Sequence, residues 1–330
     1  MICNADARMI PLDDQSVQCV VTSPPYFGLR DYGVGDQIGL EETLEGYIAS
    51  MVEVFDGLWR VLKDDGVVWL NLGDSYNGSG GWGGAATPSA LSGSKQTANK
   101  GSHVVRAARN VNGLKPKDLM MVPHRVAIAL QERWYVRQEI VWHKPNPMPE
   151  SVTDRCTRAH EYVFMLTKSA RYYYDADSIK EPLKSSEDEY LSAGKRMRDG
   201  HTKGDIGGAP LGEKSFTNIL TGANKRSVWT VTTKPYSGAH FATFPPDLVE
   251  PMVLAGCMEG GVVLDPFCGS GTVGMVCRKH KRMFVGLDLS IKYLAEFALP
   301  RSEEQQTKAS IEELPLFGGI THLETGDTND

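Results

Sequence analysis

Asp265-Pro266-Phe267-Cys268-Gly269-Ser270-Gly271-Thr272-Val273-Gly274 is the stretch on which the fold turns. The apolar run Gly261-Val262-Val263-Leu264 leads into it as a strand, and a helix running through Cys277 leads out. Glycines at such a junction let the backbone turn tightly and approach a ligand, whose polar end meets the N–H groups that open the helix. Met283-Phe284-Val285-Gly286-Leu287-Asp288 reads as the next strand, with Asp288 seventeen residues after Gly271. A carboxylate there is placed to accept hydrogen bonds from ribose hydroxyls at the carboxyl edge of a doubly wound sheet. Taken alone, Gly269-x-Gly271-x-x-Gly274 with Asp288 also fits a dinucleotide fold, hence a nicotinamide oxidoreductase, or a turn with no ligand. Only 56 residues follow Gly274, too few for a second mononucleotide half. Asp265 and Phe267, just before the first glycine, suit a ligand carrying an ammonium group and an adenine.

The N-terminal third has the same character. Val17-Gln18-Cys19-Val20-Val21-Thr22 reads as a short buried strand, stopped by Pro24-Pro25, which lack ladder N–H groups. Leu44, Tyr47, Ile48, Met51, Val52, Phe55, Leu58, Trp59 and Leu62 recur at helical spacing. Asp64-Asp65-Gly66 then turns the chain into the strand Val67-Val68-Trp69-Leu70-Asn71-Leu72. Further on, a helix starts near Pro123 and includes Val126, Ala127 and Leu130; strands follow at 134–142 and 161–166, and a short helix at Leu248–Val253. Alternating strands and helices of this kind predict an α/β fold, a doubly wound and mostly parallel sheet covered on both faces.

Composition bounds the rest. With 41% hydrophobic and 23% charged residues the 330-residue chain has globular usage, which excludes wholesale disorder. No apolar run approaches the roughly 18 residues of a membrane span, and the N-terminus lacks the regions of a signal peptide. The six cysteines form no Cys-x-x-Cys pair, which argues against a disulfide framework and against a zinc cage; no metal is expected, and the expected compartment is a reducing cytoplasm. The net charge of −6 hides an asymmetry: residues 100–234 hold 23 Lys+Arg against 15 Asp+Glu, and the remainder 12 against 26. A basic middle between acidic flanks is the kind of asymmetry that marks a polyanion-binding face, and a solvated lysine-rich surface would show it too.

Thr22-Ser23-Pro24-Pro25-Tyr26 follows directly on a predicted strand. Its prolines stiffen the backbone, fix the directions of the Ser23 and Pro24 groups and present Tyr26 at the sheet edge; a rigid turn with a packed tyrosine is the purely structural alternative. Together the two turns resemble those of the S-adenosylmethionine-dependent DNA amino-methyltransferases. Their order, with the Ser-Pro-Pro-Tyr turn first and the glycine turn near the C-terminus, resembles the circularly permuted β-class arrangement. The likeness spans residues 1–76, 117–175 and 236–299.

The resemblance implies a Rossmann-like methyltransferase fold and S-adenosyl-L-methionine as cofactor. Cofactor contacts fall on Asp6, Thr243, Asp265, Phe267, Gly269, Ser270, Gly271, Thr272 and Asp288, with Asp6 near the adenine, Asp288 at the ribose and Thr243 in the segment that closes over the methionine tail. Ser23, Pro24, Pro25 and Tyr26 become the catalytic turn. Hydrogen bonds from an exocyclic amine to the Ser23 side chain and the Pro24 carbonyl favour tetrahedral nitrogen and free its lone pair for the methylsulfonium. The base must leave the duplex to arrive there, and Tyr26 offers it a stacking face. Cytosine-C5 chemistry needs a cysteine after proline, and none of the six cysteines follows one. A serine-led turn is more usual for cytosine N4, with adenine N6 the alternative. RNA or protein methyltransferases, and a DNA-binding protein that has lost catalysis, are remoter alternatives.

The expected organisation is a catalytic half at 1–76, a mobile loop at 77–113, a continuation of the sheet at 114–175, a polar insertion for target recognition at 176–235, a cofactor-binding half at 236–300 and a polar tail at 301–330. Lys100, Arg106 and Arg109 of the loop, and Arg196, Arg198, Lys203, Lys225 and Arg226 of the insertion, interleaved with Phe216 and Trp229, are the expected DNA contacts. Expected partners are double-stranded DNA and a cognate restriction endonuclease, with no membrane; the assembly is a monomer or homodimer in the cytoplasm of a bacterium or encoded by a phage.

Overall fold

The computed structural model describes residues 1–78, 113–182, 222–233 and 245–300, together with the backbone of 103–104 and 301–302. The described strands are β1 (Ile2–Asn4), β2 (Val17–Thr22), β3 (Arg30–Asp31), β4 (Leu62–Leu72), β5 (His103–Val104), β6 (Tyr135–His143), β7 (His160–Thr167), β8 (Val228–Thr230), β9 (Val262–Asp265) and β10 (Met283–Asp288). Eight of them form one sheet in the order β1-β10-β9-β2-β4-β7-β6-β8, and β3 and β5 pair separately. Every neighbouring pair in the large sheet is parallel except the two made by β7.

Both faces are covered, which is why the central strands are apolar without alternation. In β2, Val17 and Val20 join one core and Cys19 and Val21 the other; in β4, Val68, Leu70 and Leu72 divide in the same way from Val67 and Trp69. Helix α1 (Leu44–Val61) covers the first face with Leu44, Tyr47, Met51, Val54, Phe55, Leu58 and Val61, and Thr43 caps it by accepting a hydrogen bond from the Gly46 N–H at 3.0 Å. Helix α2 (Val122–Leu130) packs beside it. On the opposite face, α3 (Pro246–Gly256) and α4 (Thr272–Lys279) bury Leu248, Val249, Met252, Val253, Val273, Val276 and Cys277.

The chain therefore leaves β2 for one face, through α1 to β4, and leaves the adjacent β9 for the other, through α4 to β10. The sheet's topological switch point lies between β2 and β9, and crevices at switch points are where open α/β sheets bind ligands. Several features differ from the sequence expectations. Leu62 is the first residue of β4 and not the last of the helix, and Asp64-Asp65-Gly66, expected as a turn before the strand, lie inside β4 where its pairing with β2 is irregular. Strands β1 and β8 extend the two edges of the sheet. His103–Val104, inside the stretch expected to be a mobile loop, pair antiparallel with β3. The base of that stretch is tied: the Asn77 N–H donates to the Asp118 carbonyl at 2.8 Å, the Lys117 N–H donates to the Asn77 carbonyl at 2.8 Å, and the buried Asn77 amide donates to the Leu114 carbonyl at 2.9 Å.

Candidate active site

The two turns singled out in the sequence lie at the carboxyl ends of neighbouring strands and touch. Thr22, last residue of β2, donates from Oγ1 to Oδ1 of Asp265, last residue of β9, at 2.9 Å across 243 residues of sequence. The same Asp265 oxygen accepts the Phe267 N–H at 3.1 Å. Asp265 is 3% exposed, and among the described residues no cationic side chain pairs with it. Burial, with a smaller contribution from Asp288, pushes its carboxyl up to about 7 despite these two donors. A buried carboxylate in this condition gains from a cationic ligand.

The glycine turn is a cradle by its geometry. Gly269 and Gly271 have φ of 45° and 73°, in the left-handed region, and Gly271 is the N-cap of α4. A Cβ on Gly271 would stand 3.0 Å from the Ala298 Cα, so the turn is also closed from behind. Asp288, at the end of β10, accepts the Gly269 N–H at 3.0 Å on one oxygen and the Ser290 N–H at 2.8 Å on the other. Burial raises its carboxyl above the ordinary carboxylate range. Each oxygen keeps acceptor capacity for a hydroxyl. Asp288→Ala is expected to weaken cofactor binding by about 1–3 kcal/mol, measured by calorimetry, because it removes acceptors from the site and the tether from Gly269 together.

Ser23, Pro24, Pro25 and Tyr26 leave β2 on the other side of the switch point. Pro24 is buried, and the Pro25 carbonyl accepts the Tyr47 hydroxyl of α1 at 3.0 Å, which anchors the turn to the core. Ser23 Oγ lies 3.4 Å from Oδ1 of Asn71, near the end of β4. The Tyr26 hydroxyl lies 3.2 Å from the same Oδ1 and 2.7 Å from Oε2 of Glu161, at the start of β7. The Asn71 amide donates to the Tyr162 carbonyl at 3.0 Å, and Lys144 pairs with the other Glu161 oxygen. Desolvation, then Glu161, holds the Tyr26 phenol well above its ordinary range, so it stays protonated. Gly73 makes room for the ring, since a Cβ there would stand 2.5 Å from Tyr26 Cε2.

Asn71, Lys144 and Glu161 were not among the expected site residues. The sequence signal of Asn71 and Glu161 is a polar side chain inside or opening an otherwise apolar strand, and Lys144 directly follows the last residue of β6. Of the expected cofactor contacts, Phe267 packs against the core at the turn, and Ser270 and Thr272 are buried within it. Asp6 lies beyond the end of β1, beside β10, with its carboxylate held by Arg8 through Nη2 at 2.6 Å and Nε at 3.0 Å. The Asp6–Arg8 pair fixes that carboxylate in place and occupies much of its acceptor capacity. Lys225 and Arg226 flank β8 and face Glu181, at 4.0 and 3.3 Å. Trp229 was expected beside the DNA contacts; it is 4% exposed, its indole N–H donates to the Arg226 carbonyl at 2.7 Å, and it belongs to the core under β8. Thr243, Lys100, Arg106, Arg109, Arg196, Arg198, Lys203 and Phe216 lie outside the described residues.

A mostly parallel sheet with a glycine cradle, a carboxylate at the end of the next strand and a Ser-Pro-Pro-Tyr turn at one switch point defines a Rossmann-like methyltransferase of permuted motif order. The cradle, the buried Asp265, which lacks a cationic partner among the described residues, and the acceptors on Asp288 fit the methionine ammonium and ribose of S-adenosylmethionine. Residues 17–298 match the N6/N4 methyltransferase family described as DNA methylase, and the chain belongs to it. It is 44% identical over 299 residues to the Type II methyltransferase M.Cfr9I of Citrobacter freundii, covering 90% of this chain and 84% of that protein. It is 45% identical over 284 residues to the Type II methyltransferase M.SmaI of Serratia marcescens, covering 86% and 83%. Among solved structures the fold resembles the PvuII DNA methyltransferase (cytosine-N4-specific), with a TM-score of 0.59 at 15% identity over 94% of this chain and 88% of that one. It also resembles TTHA0409, a putative DNA modification methylase of Thermus thermophilus solved with S-adenosyl-L-methionine, with a TM-score of 0.54 at 19% identity over 92% and 95%. The protein is an S-adenosylmethionine-dependent DNA amino-methyltransferase. Among the described residues no helix is long and apolar enough to cross a membrane.

Proposed function

We propose that the methylated atom is N4 of a cytosine extruded from duplex DNA, and that the enzyme is the modification partner of a restriction endonuclease in the cytoplasm. The observation that carries the choice of base is Ser23, a neutral hydroxyl at the head of the catalytic turn, in the position where adenine enzymes of the family more usually place aspartate or asparagine. The cytosine-N4 specificity in the name of the PvuII enzyme agrees with it. Asp265 holds the ammonium end of the cofactor, Asp288 its ribose, Asp6 its adenine side, and the cofactor supplies the electrophilic methylsulfonium. Ser23 Oγ and the Pro24 carbonyl accept the amine hydrogens, drawing the nitrogen toward tetrahedral geometry, and Tyr26 presents its ring to the base. Single-molecule sequencing of DNA from cells expressing the protein tests this reading, with N4-methylcytosine at one sequence as the expected outcome. N6-methyladenine at that sequence would move the assignment to the other base.

DNA is held through the basic middle of the chain, with Lys100, Arg106, Arg109, Arg196, Arg198, Lys203, Lys225 and Arg226 as phosphate contacts. Each lost phosphate contact lowers the slope of log affinity against log salt by about 0.9. Neutralising Lys100, Arg106 and Arg109 together is expected to flatten that slope by roughly 2–3 with cofactor affinity unmoved. An unchanged slope would remove these three from the DNA interface.

A further inference from the structure

We propose that Glu161 is a positioning residue that sets the catalytic turn by taking the single hydroxyl proton of Tyr26. Two hydroxyls, those of Ser23 and Tyr26, lie at Oδ1 of Asn71, at 3.4 and 3.2 Å, and Ser23 also hydrogen-bonds the Tyr26 phenol. The Asn71 amide cannot turn over, because its nitrogen donates to the Tyr162 carbonyl at 3.0 Å, so its oxygen stays toward the two hydroxyls. Tyr26 has one proton to give, and the Glu161 carboxylate at 2.7 Å is both the nearer acceptor and the charged one. With that proton directed to Glu161, both Asn71 Oδ1 and the Tyr26 oxygen face the Ser23 hydroxyl as acceptors. Ser23 then points its hydrogen into the protein and its lone pairs outward, which is the polarity an amine N–H requires. The inference rests on the catalytic reading of Ser23 and adds a residue that touches neither base nor cofactor.

Glu161 is built for this task. Its side chain is 16% exposed and is held on its second oxygen by Lys144, which is 18% exposed and stacks over the Trp142 ring at 4.2 Å. Lys144 holds one Glu161 oxygen, which leaves the other to accept from Tyr26. Gly73 confines the Tyr26 ring from another side, so the ring has little freedom except at its hydroxyl. In Glu161→Gln the amide can present N–H to the phenol; the Tyr26 proton is then free to turn onto the Ser23 oxygen, where it occupies lone pairs that should be aimed outward.

The test is a double-mutant cycle in single-turnover methyl transfer on duplex DNA, with Glu161→Gln, Tyr26→Phe and the pair, and with Ser23→Ala as reference. The expected result is a fall in the transfer rate of roughly 10–100-fold for Glu161→Gln, about the value of a hydrogen bond to a charged group, with DNA and cofactor affinities near the parent's. Tyr26→Phe, which has no proton to give, leaves Asn71 to Ser23; in that background Glu161→Gln is expected to cost little more. Thermal melting of each variant shows that it is folded. A parent transfer rate in Glu161→Gln, or the same loss in the Tyr26→Phe background as in the parent, overturns the inference. Full activity in Ser23→Ala overturns the catalytic reading beneath it, so the two failures are distinguishable.

Discussion

Asp265→Ala is expected to weaken S-adenosylmethionine binding by about 2–5 kcal/mol, the cost of truncating one partner of a buried charge pair. The size of the effect follows from the site: the carboxylate is almost wholly buried, has two neutral donors, and among the described residues lacks a cation. Asp265→Asn keeps an acceptor for Thr22 and Phe267 and removes only the charge, so it separates the electrostatic loss from any disturbance of the turn. The same environment predicts a pH dependence. In the free protein Asp265 titrates at about 7, and an ammonium ligand favours its ionised form, so binding below that pH expels a proton. Affinity should be full above pH 7 and fall about tenfold per unit below it, until the pKa of the bound state is reached. Calorimetry from pH 5 to 8, in two buffers of different ionisation enthalpy, reads both the affinity and the proton count. A flat profile would mean that the ammonium lies elsewhere.

Ser23→Ala is the second large effect. It should lower methyl transfer about 10²–10³-fold, the range seen when one preorganised hydrogen-bonding group is removed from a transition state. S-adenosylmethionine affinity should not change, because Ser23 lies on the β2 side of the switch point and hydrogen-bonds toward Asn71, while the cofactor cradle belongs to β9 and β10. Quench-flow transfer rates and calorimetry on one preparation check both halves. A variant that transfers methyl groups at the parent rate would end the catalytic assignment of the turn.

Much of this was legible in the residues. The apolar runs at 17–22, 67–72 and 283–288 and the helical spacing from Leu44 onward give the elements, since a sheet covered on both faces leaves unbroken apolar strands. The two turns were legible because each leaves its strand through prolines or glycines, residues with restricted or unusual backbones. β1 and β8 were not, since three residues at a sheet edge carry no period. Nor was the reversal of β7, because polarity depends on where the chain returns and not on composition. The Ser23–Asn71–Tyr26–Glu161 network joins residues 45 to 135 positions apart, and pairing at that range leaves no local mark. Trp229 misled for a related reason: an aromatic among basic residues suits a nucleic-acid face, yet here it closes the core at the sheet edge.

The most direct test of the account is to incubate duplex DNA with S-adenosylmethionine labelled on its methyl group, digest to nucleosides and identify the labelled product by mass spectrometry. The expected label is on an exocyclic amine, as N4-methylcytosine, and it is lost in Ser23→Ala. Label at cytosine C5, or label that persists undiminished in Ser23→Ala, would contradict it.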